Sequence, residues 1–557
     1  MMRAALLGAI LVVSGWAADA FAAAKPNVIL IVADDQHRDQ ANYLPQGRDE
    51  HGRPRNLTPH IDRLAREGVV LAGLHSPSPL CVPSRFALLT GNYASRATND
   101  WMVKLYKMHG HTFVHQEPMI TPDTPNLARD LKRLGYTTLA VGKNHVIQAP
   151  GYRKVDARND IHDPNVLAAL KANQRACIAA YQHAGFDYAA RIYETNPVVL
   201  GPPEIQKHNL DWINKAALEM IDEHHDRPFF LYYAVTVPHR PYLGYQASPL
   251  ATPVGLLDEP PQGLPPRETI GRRLTAAGVP EERGDLLWLD DCVGSLVARL
   301  DERGVLENTV IFYVNDHGDD GGKTTCYQGG MRTFGFVWAA DERLVQGARV
   351  APSPTSLVDI APTIVSLAGG APAASRFDGV DLAPLLAGKT DRVREMVYGE
   401  MGHTRAVIKG DWKYIALRYS DYHKNLPRAE RLAWLKAANE YQRSNRWTTF
   451  EGNDPGGPFG HSGFIPDLWD HEQHARAAYP HFFDANQLYH LKTDPREQRN
   501  LAGDPKYAEK LAEMKAELQK RLQDLPGGFA EFKPEEAPLP MQERIQIGRE
   551  LMKTVFH

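Results

Sequence analysis

Cysteine is scarce in this chain of 557 residues: Cys81, Cys177, Cys292 and Cys326 are the only four, with no close pair and no metal-ligand spacing. A disulfide scaffold and a zinc-finger framework are thereby excluded. Charge of one sign is also missing, since 63 basic residues face 67 acidic ones for a formal net charge of -4. Without a global positive field, nucleic acid is not an expected partner. Long apolar runs are absent too. Ala4 to Val13, behind Arg3 and ahead of small residues ending Ala20-Phe21-Ala22, falls short of the ~20 apolar residues a spanning helix needs. Residues 1–24 therefore read as a cleavable export signal, which predicts a periplasmic or secreted protein with no stable membrane anchor.

What is present is ordinary in bulk. Apolar residues at 43% and charged residues at 23% describe a globular chain able to bury a sizeable core. Its length exceeds what one core supports, which predicts a large domain with a smaller companion. The division is expected at residues 25–392 and 393–557.

Asn27 to Val32 is apolar and β-branched and ends at Ala33-Asp34-Asp35, as a buried parallel strand delivering carboxylates would. The same grammar recurs. Thr137 to Val141 precedes Gly142-Lys143-Asn144-His145, Phe229 to Val237 precedes Pro238-His239, and Thr309 to Val314 precedes Asn315-Asp316-His317. Helical patterns alternate with these runs. Thr124 and Pro125 open one, with Leu127, Leu131 and Leu134 as its stripe and Gly135 as its stop; Leu289, Val293, Leu296 and Leu300 mark another, on whose apolar face Cys292 lies as a buried thiol. The alternation predicts an α/β fold, a large mainly parallel sheet covered by helices on both faces. Past about Asp391 the texture changes to short strands at Met396 to Glu400, Ala406 to Ile408, Trp412 to Ile415 and Gln487 to Leu491. These predict a smaller α+β unit on an antiparallel sheet, with Tyr507 to Leu525 as an amphipathic helix packing Leu511, Met514, Leu518 and Leu522 on it.

The chemistry centres on Cys81-Val82-Pro83-Ser84-Arg85 followed by Leu89-Thr90-Gly91, a segment that resembles the defining motif of the type I, formylglycine-dependent sulfatases of the alkaline-phosphatase-like superfamily. The resemblance extends from Pro26 to Asp504. It implies that a formylglycine-generating maturation enzyme oxidises Cys81 to an aldehyde, and that residues 25–392 are the catalytic domain. A hydrated aldehyde suits sulfate ester cleavage because one hydroxyl attacks sulfur, and the other later loses its proton so that the re-forming carbonyl expels sulfate. Arg85, one helical turn on, would hold that diol.

Asp34, Asp35, Asp316 and His317, with the modified Cys81, match the family's ligand positions for one divalent metal. Carboxylate oxygens favour Ca2+, with Mg2+ next, and the imidazole also suits Mn2+. Lys143, His145, His239 and Lys323 resemble the rest of the active-site set. The lysines would grip sulfate oxygens, His145 would take the diol proton as a group titrating near neutrality, and His239 and Lys323 would serve the leaving oxygen. The expected substrate is a sulfated glycan or small molecule. Two alternatives share these motifs, a phosphonate or phosphate ester hydrolase and a non-catalytic secreted glycan binder. Substrate reading is expected from loops at Trp101 to His115, Gly151 to Gly201 and Arg446 to Phe464.

Overall fold

Every residue from Asn27 to Asp34 is buried, because this run is the centre of an eight-stranded sheet. The computed structural model describes residues 25–116, 118–318, 321–444, 478–535 and 538–556, and the expected signal at 1–24 and the loop at Arg446 to Phe464 lie outside them. The sheet's strands are β1 (Asn27–Asp34), β2 (Val69–Leu71), β3 (Thr137–Lys143), β4 (Tyr188–Tyr193), β5 (Phe229–Pro238), β6 (Thr309–Asn315), β7 (Gly335–Ala339) and β8 (Arg349–Ala351). In space they run β8-β2-β7-β6-β1-β5-β3-β4. The stretch from β6 through β1, β5 and β3 to β4 is parallel throughout, so the C-terminal ends of those strands share one edge. Only β7 runs against its neighbours β6 and β2, which makes the sheet mixed but mostly parallel.

Alternate residues of β1 feed two different cores. Val28, Leu30 and Val32 pack with Phe86, Leu88 and Leu89 of α1 (Cys81–Thr90) and with Leu127 and Leu131 of α2 (Leu127–Arg133). Ile29 and Ile31 face the other side, with Ile213, Ala217 and Ile221 of α3 (Leu210–His224) and Leu289, Val293, Leu296 and Leu300 of α4 (Gly284–Glu302). Burial on both faces is why the strand reads as an unbroken apolar run. Cys292 lies fully buried on α4, as its apolar face predicted.

Three readings need correction. The cap of α2 is Asn126, whose side chain accepts from the Arg129 N–H, while Thr124 bonds Thr121 instead. Trp101 to His115 is no open loop: most of it is the helix Asp100–His109, and His109, His111 and His115 are buried. Gly151 to Gly201 contains the helix Pro164–Ala184 and all of β4, so it is mainly regular structure as well. The signal for that helix was present in the Asp163 cap, Pro164 and the buried row Val166, Leu170, Cys177 and Tyr181.

The second sheet pairs β9 (Met396–Met401), β10 (Thr404–Lys409), β11 (Trp412–Leu417) and β12 (Asn486–His490) antiparallel in that order. Helix α5 (Ala508–Gln523) lays Met514, Leu518 and Leu522 on Tyr398, Val407, Tyr414 and Leu488, with Leu511 only partly buried at the margin. Ala87 of α1 and Tyr93 join this same cluster, so the second sheet is packed against the base of the Cys81 helix.

Candidate active site

Parallel pairing places the functional groups. In the β1–β6 ladder Ala33 stands opposite Asn315, which brings Asp34 and Asp35 level with Asp316 and His317. The Asp316 N–H donates to the Ala33 carbonyl at 3.2 Å, and the Asn315 side chain accepts from the Gln36 N–H and donates to its carbonyl, both at 2.9 Å. Asp35 itself adopts a left-handed backbone, φ 57°, a conformation that costs a non-glycine residue about 1 kcal/mol or more. Helix α1 begins at Cys81, and the Ser84 hydroxyl anchors it by donating to the Asp316 carbonyl. The helix N-terminus, with its unpaired N–H groups, therefore faces the carboxylates.

Cys81 Sγ lies 3.4 Å from His317 Nε2, 3.7 Å from Asp34 Oδ1 and 4.0 Å from Asp35 Oδ1. Arg85, fully buried, bridges Asp316 Oδ2 at 3.2 Å and Asp34 Oδ1 at 3.4 Å. Lys143 Nζ, at the end of β3, sits 2.6 Å from Asp34 Oδ2. Asp35 Oδ2 takes Lys323 Nζ at 2.5 Å and His239 Nε2 at 3.3 Å. Nine of the sequence-predicted residues thus form one network of contacts. The tenth, His145, stands at its border, within electrostatic reach of Lys143 and Asp34 and with Nδ1 buried and unpartnered.

Electrostatics follow from this packing. Burial alone would neutralise Asp34, but Lys143, His239 and Arg85 hold its carboxyl well below the usual range; Lys323, His239 and His317 do the same for Asp35. Burial, aided by Lys143, pushes His145 well below the ordinary imidazole range rather than leaving it near neutrality. Burial also lowers His239 against the opposing pull of Asp35. His145 is therefore the neutral, proton-accepting ring of the two.

The donor set fits a divalent cation. Ligand atoms of Asp34, Cys81 and Asp316, and of Asp35, Cys81 and His317, lie within 4.8 Å of one another in each group. His317 Nδ1 donates to the Gly318 carbonyl at 2.9 Å and Nε2 faces Asp35 Oδ1 at 2.9 Å; burial opposes the charged ring, but Asp316 and Asp35 hold this imidazole well above its ordinary range, with a proton on Nε2. Two lone pairs at that distance need a cation or a proton between them, as a metal ligand pair would.

Sequence reading missed several supporting residues. Asn315 and Gln36 stitch the two ligand loops together, and His208 lies against the His239 backbone with its Nδ1 2.8 Å from Thr236 Oγ1. Glu194 accepts from Asn144, the residue between Lys143 and His145. None stands in a recognisable motif; only strand register reveals them.

Comparison with known proteins agrees with this geometry. A family profile described as Sulfatase matches residues 26–371. N-acetylgalactosamine-6-sulfatase of Mus musculus is 28% identical over 415 residues, covering 70% of this chain and 71% of that protein. A solved structure from work on glycosaminoglycan metabolism by Bacteroides thetaiotaomicron superposes with TM-score 0.56 at 22% identity, covering 90% of this chain and 99% of that one. A phosphonate monoester hydrolase from Silicibacter pomeroyi superposes with TM-score 0.53 at 17% identity over 91% and 97%.

Proposed function

The chain belongs to the sulfatase family, with the alkaline-phosphatase-like fold and the activity of a sulfuric ester hydrolase, and we propose that it cleaves the sulfate monoester of a sulfated glycan through a formylglycine at Cys81. The single observation that carries this reading is the position of Cys81 Sγ, at the start of α1 and within 4.0 Å of Asp34, Asp35 and His317. The names of similar proteins support a glycan substrate, and the charge and apolar pattern from Arg3 to Ala22 supports export to the periplasm or outside the cell. Among the described residues no helix is long and apolar enough to cross a membrane. The catalytic domain is taken as residues 25–392 and the second unit as 393–557.

Asp34, Asp35, Asp316 and His317 would hold one divalent metal, Ca2+ ahead of Mg2+ or Mn2+, which supplies Lewis acidity and offsets the sulfate charge. Arg85, fixed between Asp34 and Asp316, orients the hydrated aldehyde. One of its hydroxyls, which the metal would acidify, releases its proton to solvent and its oxygen bonds to sulfur as the bond from sulfur to the alcohol oxygen breaks, and Lys323, aided by His239, gives the departing oxygen its proton. Lys143 draws charge from the sulfate oxygens. His145, neutral because buried, then takes the proton of the remaining hydroxyl; the carbonyl re-forms, the bond from carbon to the sulfate oxygen breaks, and water rehydrates the aldehyde.

The shared fold of the phosphonate hydrolase makes that chemistry the second reading. Catalytic efficiencies on paired aryl sulfate and aryl phosphonate substrates separate the two. A sulfate preference is expected, and a phosphonate preference would displace the sulfatase proposal.

A further inference from the structure

The mechanism uses Lys143 and His145 but not the residue between them, nor the carboxyl that this residue meets. His145 sits in a left-handed conformation, φ 58°, just beyond a break in β3 where the pairing with β4 shifts between Val141 and Gly142. Gly142, φ 91°, passes so close to β5 that an added Cβ would lie 1.8 Å from the Ala234 carbonyl oxygen. The strand end is thus bent and carries a strained residue, and strain persists only where surrounding contacts overdetermine it.

Those contacts come from Asn144 and Glu194. The Asn144 N–H donates to the Tyr193 carbonyl at 2.7 Å and the His145 N–H to the Glu194 carbonyl at 3.0 Å, which zips the strained turn onto the end of β4. The fully buried Asn144 side chain accepts from the Ile147 N–H at 2.8 Å, and its amide donates to the Ile147 carbonyl at 2.8 Å and to Glu194 Oε2 at 2.6 Å. Cys177, on the helix Pro164–Ala184, donates its thiol to the same Oε2 at 3.4 Å. The ends of β3 and β4 and a covering helix therefore meet at one carboxyl oxygen.

We propose that Glu194 is a positioning residue that, through the Asn144 amide and its own backbone, fixes the strained turn aiming His145 at the reacting group. The Asn144 amide and the Cys177 thiol are neutral donors, and burial raises the Glu194 carboxyl to about 7, so a glutamine could take the same two donors with little loss. The inference rests on the sulfatase reading for the role of His145.

The test uses the full-length, matured enzyme and an aryl sulfate. Wild-type turnover, measured first, tests the sulfatase reading itself. Glu194→Ala should lower kcat about 10-fold or more with KM nearly unchanged, as expected when a proton acceptor is misaligned. Glu194→Gln should stay close to wild type. In a His145→Ala background, Glu194→Ala should cost nothing further, since two residues acting through one step are not additive. Should Glu194→Ala not fold, Glu194→Asp, whose acceptor is withdrawn by one methylene, takes its place in the same cycle. Unchanged kcat in Glu194→Ala, equal loss in Glu194→Gln, full activity of His145→Ala, or additive losses would each overturn the proposal.

Discussion

Lys413 Nζ lies 2.7 Å from Glu497 Oε1, and neither side chain is exposed to solvent. Burial drives each toward its neutral form, lowering Lys413 and raising Glu497, and each opposes that effect on the other. The second Glu497 oxygen accepts the Gln328 N–H at 2.6 Å, and Tyr327 donates its hydroxyl to Gln487 at 2.6 Å while stacking on Tyr479 at 3.8 Å. The second sheet thus clamps the segment that follows Lys323, which in turn reaches Asp35.

Removing one partner of this pair leaves an uncompensated buried group. Lys413→Ala should cost about 3–5 kcal/mol, read as a fall in denaturant midpoint. The double variant Lys413→Met with Glu497→Leu should regain most of that stability but not the activity, because the Gln328 N–H has lost its acceptor. Full recovery of both would show that the clamp is irrelevant to Lys323.

Metal dependence should follow the network around Asp34 and Asp316. Asp316→Ala should lower kcat/KM by at least ~100-fold and reduce bound divalent metal by elemental analysis. Chelation of the wild type should abolish turnover, with Ca2+ restoring more than Mg2+ or Mn2+. Undiminished turnover in Asp316→Ala would refute the assignment of Asp34, Asp35, Asp316 and His317 as ligands.

Lys323 should matter in proportion to how badly the leaving alcohol needs a proton. Lys323→Ala is expected to slow esters of alkyl alcohols or sugars about 100-fold and those of acidic phenols far less, which steepens the dependence of rate on leaving-group pKa. An equal loss across the series would place Lys323 in sulfate binding alone.

Stability should carry a trace of Glu194. Its carboxyl, raised by burial from 4.5 to about 7, keeps in the folded state a proton that the unfolded chain has released, so its contribution to stability falls as pH rises across that window. Relative to wild type, Glu194→Gln should flatten the decline between those pH values. Parallel curves would mean that the group ionises in the fold as it does in the open chain.

Much of this was legible in the chain, for identifiable reasons. β1, β5 and β6 are buried on both faces, so Asn27–Asp34, Phe229–Pro238 and Thr309–Asn315 read as continuous apolar runs that stop at ionisable residues. The Cys81 motif was visible because it opens a helix, and Asp34, Asp35, Lys143, His145, His239, Asp316 and His317 because they end such runs, whereas Lys323, in an irregular loop, is marked only by its resemblance to the family's set. Asn315, Gln36 and Glu194 were not, since their importance comes from register across strands rather than from local pattern. Lys413 lies in the strand Trp412 to Ile415 that the pattern marks, but its link to Lys323 passes through Glu497 and Gln328, residues 84 and 85 positions away in opposite directions. The helix Pro164–Ala184 was overlooked because its alanines and polar residues dilute the apolar stripe.

The most direct measurement is mass spectrometry of the peptide containing Cys81, from protein produced with and without a formylglycine-generating enzyme, set beside sulfatase activity of the same samples. Activity should rise in proportion to the fraction of Cys81 found as the aldehyde or its hydrate, and Cys81→Ala should be inactive. Full activity in a sample whose Cys81 is entirely unmodified thiol would contradict the formylglycine mechanism.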